Sequence, residues 1–207
     1  MFEGILGRIT RQMRLFFLQP GYNFHMPRIY TRNGDDGSTG LLGKGRLPKQ
    51  ALRMEALGDL DEASAAIGLA RAQSTDPQTG ELLKLVQRDL YTIMTEVATP
   101  PDNAHPVRTL EPQRVEWLET QVDAIAAGVP VLAEFILPGD SLPGATMALA
   151  RTIVRRAERR VAGLLDSGEV TNKVLLHYLN RLSSLCFAME LSENAKTGKP
   201  TSLAKDT

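Results

Sequence analysis

Apolar residues recur at helical spacing over five long stretches of this chain. In the second stretch the apolar positions that fall on one side of a helix are Leu82, Leu85, Val86, Leu90, Ile93 and Val97. The predicted helices cover about residues 50–74, 79–98, 112–127, 143–166 and 171–193. No run alternates convincingly at strand spacing. The pattern therefore predicts an all-α, five-helix up-and-down bundle.

The segment ahead of the first predicted helix is too rich in glycine to be helical. Between residues 28 and 48 it contains Gly34, Gly37, Gly40, Gly43 and Gly45. Hydroxyl groups and cations are interleaved with them, at Thr31, Ser38 and Thr39 and at Arg32, Lys44, Arg46 and Lys49. Glycine backbone can turn several N–H groups toward one anion, so the composition suits a polyphosphate. An ordinary surface loop fits it equally well, and the spacing is not that of a Walker A motif.

Charge and cysteine content exclude several classes of protein. The 207 residues include 24 Lys+Arg and 24 Asp+Glu, so no overall field attracts nucleic acid or an anionic membrane. The single cysteine, Cys186, excludes an intramolecular disulfide. No two of the three histidines have helix-ligand spacing, so we expect no structural metal, while Mg²⁺ held by carboxylates or phosphate stays open. No apolar run reaches the roughly eighteen residues of a membrane span.

The two ends of the chain lack the helical pattern of the middle. Residues 1–25 combine three arginines with a short apolar run, which fits either an amphipathic targeting segment or an extension ahead of the domain. We expect an extension at 1–25, a folded domain at 26–192 and a flexible tail at 193–207, where apolar residues are not periodic. The expected location is cytoplasmic, with organellar targeting by the first 25 residues left open.

The fourth predicted helix concentrates positive charge. Within ten residues it carries Arg151, Arg155, Arg156, Arg159 and Arg160, with Glu158 among them. At about 100° per residue, Arg151, Arg155 and Glu158 share a narrow sector, with Arg159 at its edge. Arg156 and Arg160 point elsewhere. The sector suits an anionic ligand, and a solvated, salt-bridged helix face is the alternative.

A carboxylate in the first predicted helix also needs explanation. Asp61 falls on the same side of the helix as Met54, Leu57 and Gly68. A carboxylate on an apolar stripe must find a partner, or its pKa rises. We expect an arginine from elsewhere to pair with it, and the alternative is that this face of the helix is hydrated.

These segments, in this order, resemble those of the ATP:cob(I)alamin adenosyltransferases of the propanediol-utilisation type. The stretches that carry the resemblance are YTRNGDDGSTGLLGKGRLPK at 30–49, ALGDLDEASAAIGLA at 56–70, LVQRDLYTIMTEVATP at 85–100, FILPGDS at 135–141, ARTIVRRAERRV at 150–161 and YLNRLSSLCF at 178–187. The resemblance covers essentially everything from residue 26 to about 191, and the loop, RRAERR and LNRLS are highly specific.

The resemblance implies a homotrimer that transfers the 5′-deoxyadenosyl group of ATP to the cobalt of cob(I)alamin, with Mg²⁺ as cofactor and active sites between subunits. At positions that match ATP contacts, this chain has Thr31, Arg32, Asn33, Gly34, Thr39, Gly40 and Lys49 in the loop, Arg155, Arg156, Glu158 and Arg159 in the fourth helix, and Asn180 in the fifth. Asp61 would pair with Arg151 across the subunit interface. Phe135 would lie at the corrin and help to displace its lower ligand.

The chain departs from the family pattern in three places. Gly139-Asp140 replaces a common Gly-Gly, Ser184 stands where Asp often follows the serine, and residues 50–52 replace the usual acidic pair. These differences concern corrinoid entry and loop hinging, not the reaction class. The partners implied are a corrinoid reductase and an adenosylcobalamin-dependent enzyme. The alternatives are a nucleotide-binding regulatory protein without transferase activity and a purely structural bundle.

Overall fold

The computed structural model describes residues 30–74, 76–103, 106–129, 134–198 and 201–205, so the expectation for residues 1–25 lies outside the described residues. The helices are α1 (Leu52–Gln73), α2 (Pro77–Ala98), α3 (Pro112–Ala126), α4 (Leu142–Asp166) and α5 (Val174–Ala195). Their bounds differ from the predicted ones by at most three residues. The all-α, five-helix prediction is confirmed. The chain divides into two compact units, one ending at Asp35 and the other beginning at Asp36.

Local chemistry sets where the helices begin. The carboxylate of Asp76 accepts hydrogen bonds from the backbone N–H groups of Gln78 and Thr79, and Pro77 occupies the first position of α2. The hydroxyl of Ser141 accepts from the backbone N–H of Gly144 at the start of α4. Such caps satisfy donors that a helix leaves unpaired in its first turn. The start of α4 is thereby fixed directly after the loop that carries Phe135.

A buried polar cluster joins three of the helices. Tyr178 of α5 is fully buried, and its hydroxyl donates to Asp89 of α2 at 2.8 Å. Arg114 of α3 pairs with the same carboxylate at 2.6 Å. Burial, followed by the charge of Asp89, raises the pKa of Tyr178, which keeps the phenol a neutral donor. The cluster fixes α5 relative to α2 and α3.

The prediction that the chain has no strand is wrong in one place. The glycine-rich segment contains two short antiparallel strands, β1 (Ser38–Gly40) and β2 (Arg46–Pro48), with Thr39 opposite Leu47. Three-residue strands are too short to give an alternating apolar pattern. Their pairing rests on backbone hydrogen bonds, which leave no signature in the side chains.

We call β1, β2 and the residues that join and close them, 36–49, the ribbon. A buried arginine lies where the ribbon meets the bundle. Arg53, at the start of α1, is 3% exposed. Its guanidinium donates to the carbonyls of Val97, Thr99 and Glu169 at 2.6, 3.1 and 2.7 Å, and it pairs with the Glu169 carboxylate at 3.1 Å. A buried cation is stable only with such complete partnering. The start of α1, the end of α2 and the connection between α4 and α5 therefore meet beneath the ribbon.

Candidate functional site

The first four residues expected to hold ATP lie in an exposed turn at 30–35. The backbone N–H of Asn33 donates to the hydroxyl of Thr31 at 3.3 Å. Arg32 has a positive φ of 63°, and its guanidinium carbon lies 5.5 Å from the centroid of the Tyr30 ring. A non-glycine residue in this conformation is uncommon outside turns. The arrangement leaves the Arg32 cation exposed to solvent.

The other three loop residues lie on the ribbon. Thr39 is half-buried in β1, while Gly40 and Lys49 are exposed. The backbone N–H of Lys49 donates to the carbonyl of Gly37 at 2.9 Å, which closes the ribbon where the chain turns toward α1. The segment thus has a fixed backbone rather than a free loop.

A carboxylate organises the open end of the ribbon, where the chain enters β1. Asp36 accepts from the backbone N–H of Ser38 at 2.9 Å and from its hydroxyl at 2.8 Å. These hydrogen bonds lower the pKa of Asp36 below its ordinary value. Arg46 donates to the Ser38 hydroxyl at 2.9 Å. Asp36, Ser38 and Arg46 hold one another, so the ribbon is built before any ligand arrives.

The arginines of α4 divide into two groups with different surroundings. Arg156 pairs with Asp59 at 3.0 Å and also with Glu62, and Arg160 pairs with Glu55 at 3.3 Å. All three carboxylates lie on α1. The hydrogen bonds that Arg156 donates to Glu62 and Asp59 raise its pKa. These two cations join α4 to α1, so Arg156 and Arg160 are already paired with carboxylates of their own subunit.

The second group, Arg155 and Arg159, lies about 100° around α4 from the first. Arg155 and Arg159 are both exposed, and the Arg159 guanidinium donates to the backbone carbonyl of Arg155 at 3.0 Å. Among the residues that the structure describes, neither guanidinium has a carboxylate partner. The helical-wheel separation of the arginines therefore matches a real difference in neutralisation, and this pair is available to an anion.

Glu158 and Asn180 lie beside that pair and contact each other. The Asn180 side-chain amide donates to Glu158 at 2.9 Å, and its oxygen accepts from Arg181 at 2.7 Å. Arg181 in turn donates to Glu119 of α3 at 2.7 Å. This chain of contacts orients both Glu158 and Asn180. The sequence pattern did not indicate a role for Arg181 or Glu119. Only the position of Arg181, directly after Asn180, could have suggested that it contacts the site.

A cavity of about 560 Å³ opens between α3, α5 and the loop before α4. Its lining includes Phe135, Ile136, Arg151, Ser184, Phe187 and Leu191. Phe135 is 88% exposed, so it has no role in the core of this subunit. The Arg151 guanidinium carbon lies 5.8 Å from the centroid of the Phe187 ring. The cavity is predominantly apolar with one cation, which suits a large flat ring system.

The structure corrects part of the predicted apolar face of α1: Leu60 and Ile67 of that face are buried as expected, whereas Met54 and Leu57 are not. The buried face of the helix runs along Arg53, Ala56, Leu60, Ala63, Ala66, Ile67 and Ala70, so small alanines contribute most of it. Met54, Leu57 and Gly68 are only half-buried, and Asp61 is exposed. A pattern read mainly from large apolar residues missed this alanine face. Within one subunit, Asp61 therefore lies on a solvent-facing side of α1.

Glu190 of α5 is the most unusual carboxylate near the cavity. It is 1% exposed, and neither of its oxygens has a hydrogen-bond partner among the described residues. Burial raises the pKa of Glu190, against an opposing attraction from Arg151 and with a further rise from Asp140. A carboxylate without hydrogen-bond donors is costly to ionise in such a place.

Replacing Glu190 by glutamine should stabilise the protein at neutral pH. Because the folded pKa of Glu190 is raised, the folded state keeps a proton that the unfolded state has released. Stability is therefore lost as pH rises through the ordinary glutamate pKa toward the folded value. Glu190→Gln should raise the melting temperature by on the order of a few degrees near pH 8 and change it little near pH 4. Glu193→Gln, whose carboxylate pairs with Lys196 at 2.6 Å, should give no such gain. An equal or lower melting temperature for Glu190→Gln near pH 8 would contradict this assignment.

A second groove of about 540 Å³ lies on α1 and α2 and includes Arg71, Lys84, Arg88 and Arg108. None of the residues expected at the site lines it. Within the described ranges, no group of three or more His, Cys, Asp or Glu side chains could hold a metal ion. Burial raises the pKa of Cys186 to about 12, so it is not a candidate nucleophile. No helix in the described part of the chain is long and apolar enough to cross a membrane.

The chain combines a structured glycine-rich ribbon, two exposed arginines without carboxylate partners among the described residues, and a mainly apolar cavity. These features suit an enzyme that binds a nucleotide together with a large apolar ring. Residues 29–193 match the family model described as cobalamin adenosyltransferase, and the chain belongs to this family. It is an ATP:corrinoid adenosyltransferase, a transferase, as its sequence motifs predicted.

Similar proteins agree with this assignment. Corrinoid adenosyltransferases of Mycobacterium bovis and Bacillus subtilis are each 41% identical, over 174 and 176 residues, covering 82% and 83% of this chain and 90% and 89% of the relatives. A variant PduO-type ATP:corrinoid adenosyltransferase from Lactobacillus reuteri, complexed with cobalamin and ATP, has a TM-score of 0.81 at 32% identity, covering 86% of this chain and all of that one. Another variant of the same enzyme, complexed with ATP, has a TM-score of 0.79 at 32% identity, with the same coverage.

Proposed function

We propose that this chain joins the 5′ carbon of ATP to the cobalt of cob(I)alamin at a site shared between subunits of a homotrimer. One observation carries the proposal. Arg156 and Arg160 are neutralised by α1, whereas Arg155 and Arg159 are exposed and have no carboxylate partner among the described residues. One set of arginines on this helix therefore stabilises the fold of its own subunit, and the other set is available to bind an anion. The triphosphate of ATP is that anion.

The reaction asks little acid–base chemistry of the protein. The electron pair of Co(I) forms the cobalt–carbon bond. The bond between the 5′ carbon and its oxygen breaks, and triphosphate leaves with the electron pair of that broken bond. Rate enhancement therefore rests on alignment and on neutralising charge on the leaving group. Arg155 and Arg159 would supply the charge. The ribbon of a neighbouring subunit, through Thr39, Gly40 and Lys49, and its turn at residues 31–34 would hold the rest of ATP.

Glu158 and Asn180 would orient the nucleotide. Their mutual hydrogen bond at 2.9 Å fixes one oxygen of Glu158, which leaves the carboxylate able to accept a hydroxyl or to face a cation. Mg²⁺ prefers oxygen ligands and is commonly bound by substrate phosphates together with one or two carboxylates. Glu158 fits that preference, so the ion would be held chiefly by triphosphate, with this carboxylate beside it. Its role would be to neutralise charge on the leaving group.

The cavity beside Phe135 would receive the corrin. Its aromatic residues, Phe135 and Phe187, present apolar surface to a flat ring and exclude water and the lower base from the cobalt. Losing the lower axial ligand makes Co(II) easier to reduce. Asp61 is exposed on its own subunit and Arg151 lines the cavity, so a pair between neighbouring subunits would satisfy both groups. That pair would close the site at the subunit boundary.

The regulatory alternative is not favoured, because nucleotide sensing alone would not require the exposed Phe135 or its cavity. A corrinoid reductase and an adenosylcobalamin-dependent enzyme stay the predicted partners. A cytoplasmic location also stays a prediction.

Spectroscopy of the wild-type chain tests the proposal. The protein should be mixed without oxygen with ATP, Mg²⁺ and cobalamin that a chemical reductant has brought to Co(I). The absorbance should change to that of adenosylcobalamin, and triphosphate should appear in equal amount. Light should then abolish that spectrum by splitting the cobalt–carbon bond, which leaves Co(II). ATP binding without formation of the light-sensitive product would instead support the regulatory alternative.

A further inference from the structure

Residues 201–205, near the C-terminus, pair with the loop that carries Phe135. The backbone N–H of Leu137 donates to the carbonyl of Ser202 at 2.8 Å, and that of Ala204 donates to the carbonyl of Phe135 at 2.8 Å. Ile136 and Leu203 form an antiparallel bridge between these two bonds. We call residues 201–205 the strap. It holds the backbone on both sides of Ile136.

A side chain of the loop fastens the strap. Asp140 accepts from the backbone N–H of Ser202 at 2.9 Å and from its hydroxyl at 2.7 Å, one bond to each carboxylate oxygen. Gly139 precedes it with φ of 132°, a conformation that favours glycine and that turns the chain so that Asp140 faces Ser202. Because the acceptor is an ionised carboxylate, each of these two hydrogen bonds is stronger than a hydrogen bond between neutral groups.

The residue after Asp140 ties the loop to the bundle. The Ser141 hydroxyl, which caps α4, also contacts the side-chain oxygen of Asn194 at 2.7 Å. Asn194 is 2% exposed on α5, and a side chain at Gly144 would meet its oxygen at 2.2 Å. This end of the loop is therefore rigid. At the Phe135 end, the restraint that the described residues show is the strap, because the Phe135 ring is 88% exposed and contributes no packing of its own.

We propose that Asp140 and Ser202 are positioning residues, forming a latch that holds the strap on the Phe135 loop and keeps the Phe135 ring at the corrin cavity. A loop with an exposed aromatic ring samples many conformations unless its backbone is held. The latch supplies that restraint through four hydrogen bonds, two from Asp140 to Ser202 and two between the backbones. The proposal rests on the proposed function of Phe135.

Hydrogen exchange of the protein alone tests the latch without any reaction. Asp140→Gly removes the carboxylate that Ser202 contacts, and Ser202→Ala removes the hydroxyl while keeping the backbone. In both variants the amides of Leu137 and Ala204 should exchange about tenfold faster or more, because their acceptors are no longer held in place. The amide of Val154, buried in α4, should not change. Asp102→Gly, in a turn outside the site, should leave all three amides as in the wild type. Unchanged exchange at Leu137 and Ala204 in both variants would overturn the latch.

Activity tests the positioning role. Asp140→Gly should lose about five- to tenfold when the enzyme starts from Co(II) and markedly less when it starts from chemically reduced Co(I), with the KM for ATP unchanged. Asp140→Asn keeps an oxygen acceptor for Ser202 and should recover part of the loss. Equal losses in the two assays, or a raised KM for ATP, would overturn the positioning role. Wild-type protein that makes no adenosyl product would refute the proposed function instead, and the exchange result would still decide whether the latch exists.

Discussion

Phe135→Ala should lose at least tenfold of its activity when the assay starts from Co(II) and clearly less when cobalt has already been reduced to Co(I). The reason lies in the lower axial ligand, which Co(II) holds and Co(I) does not hold strongly. An aromatic ring beside the cobalt would exclude that ligand, and its loss would penalise only the starting state that needs it removed. ATP affinity should barely change, because the proposed triphosphate contacts lie on the ribbon and on α4.

Core packing is the rival explanation for an effect of Phe135, and the structure argues against it within one subunit. The side chain is 88% exposed, whereas a core phenylalanine truncated to alanine costs about 3–5 kcal/mol. We therefore expect the melting temperature of Phe135→Ala to match that of the wild type. Both assays and the melt should be measured on one preparation. Equal losses from Co(II) and Co(I), together with a lowered melting temperature, would return Phe135 to a structural role.

Arg155→Ala should lower turnover or ATP affinity at least tenfold while the circular dichroism spectrum stays unchanged. The side chain is exposed and has no carboxylate partner among the described residues, so its removal leaves no buried charge behind. A charge-assisted contact to triphosphate is worth about 1.5–3 kcal/mol, which corresponds to a loss of roughly 10- to 150-fold. The backbone carbonyl that Arg159 uses remains in the variant, so Arg159 keeps its support.

Arg160→Ala is the matched control for this experiment. It removes the same charge from the same helix, but its guanidinium pairs with Glu55 at 3.3 Å and Asp59 at 3.6 Å on α1. Asp59 keeps Arg156 as a partner when Arg160 is lost. We expect near wild-type kinetics and a small change in stability, as is typical of exposed ion pairs. Wild-type kinetics for Arg155→Ala, or an equal loss for Arg160→Ala, would remove the special role of Arg155.

The helices could be predicted from the sequence because their signals are local. Pro77 and Pro112 begin α2 and α3, and apolar residues recur at helical spacing between such boundaries. The division of the α4 arginines could also be predicted, since positions 155 and 156 lie about 100° apart on a helix. What the pattern could not show was the partner of Arg156, because Asp59 and Glu62 belong to another helix.

Other features depend on contacts that leave no local signature. The buried face of α1 consists mainly of alanines, which a search for large apolar side chains passes over. The strap at residues 201–205 has no periodic apolar residues, and its pairing with the Phe135 loop rests on backbone hydrogen bonds. Asp140 was noticed only as a departure from the family pattern. Its hydrogen bonds to Ser202, 62 positions away, show what that departure does.

The most direct test of the central claim is complementation between two variants that each lose most of their activity. If the site is shared as proposed, Lys49→Ala would remove a contact of the ribbon to ATP and Arg155→Ala a contact of α4, so each homotrimer alone should be nearly inactive. When the two chains are refolded or co-expressed together, random mixing in a trimer should create sites with an intact ribbon from one subunit and an intact α4 from its neighbour at about a quarter of positions. We predict recovery of about a quarter of wild-type adenosylcobalamin formation. Mixed trimers, verified by native mass spectrometry, that recover no activity would contradict a site shared between subunits.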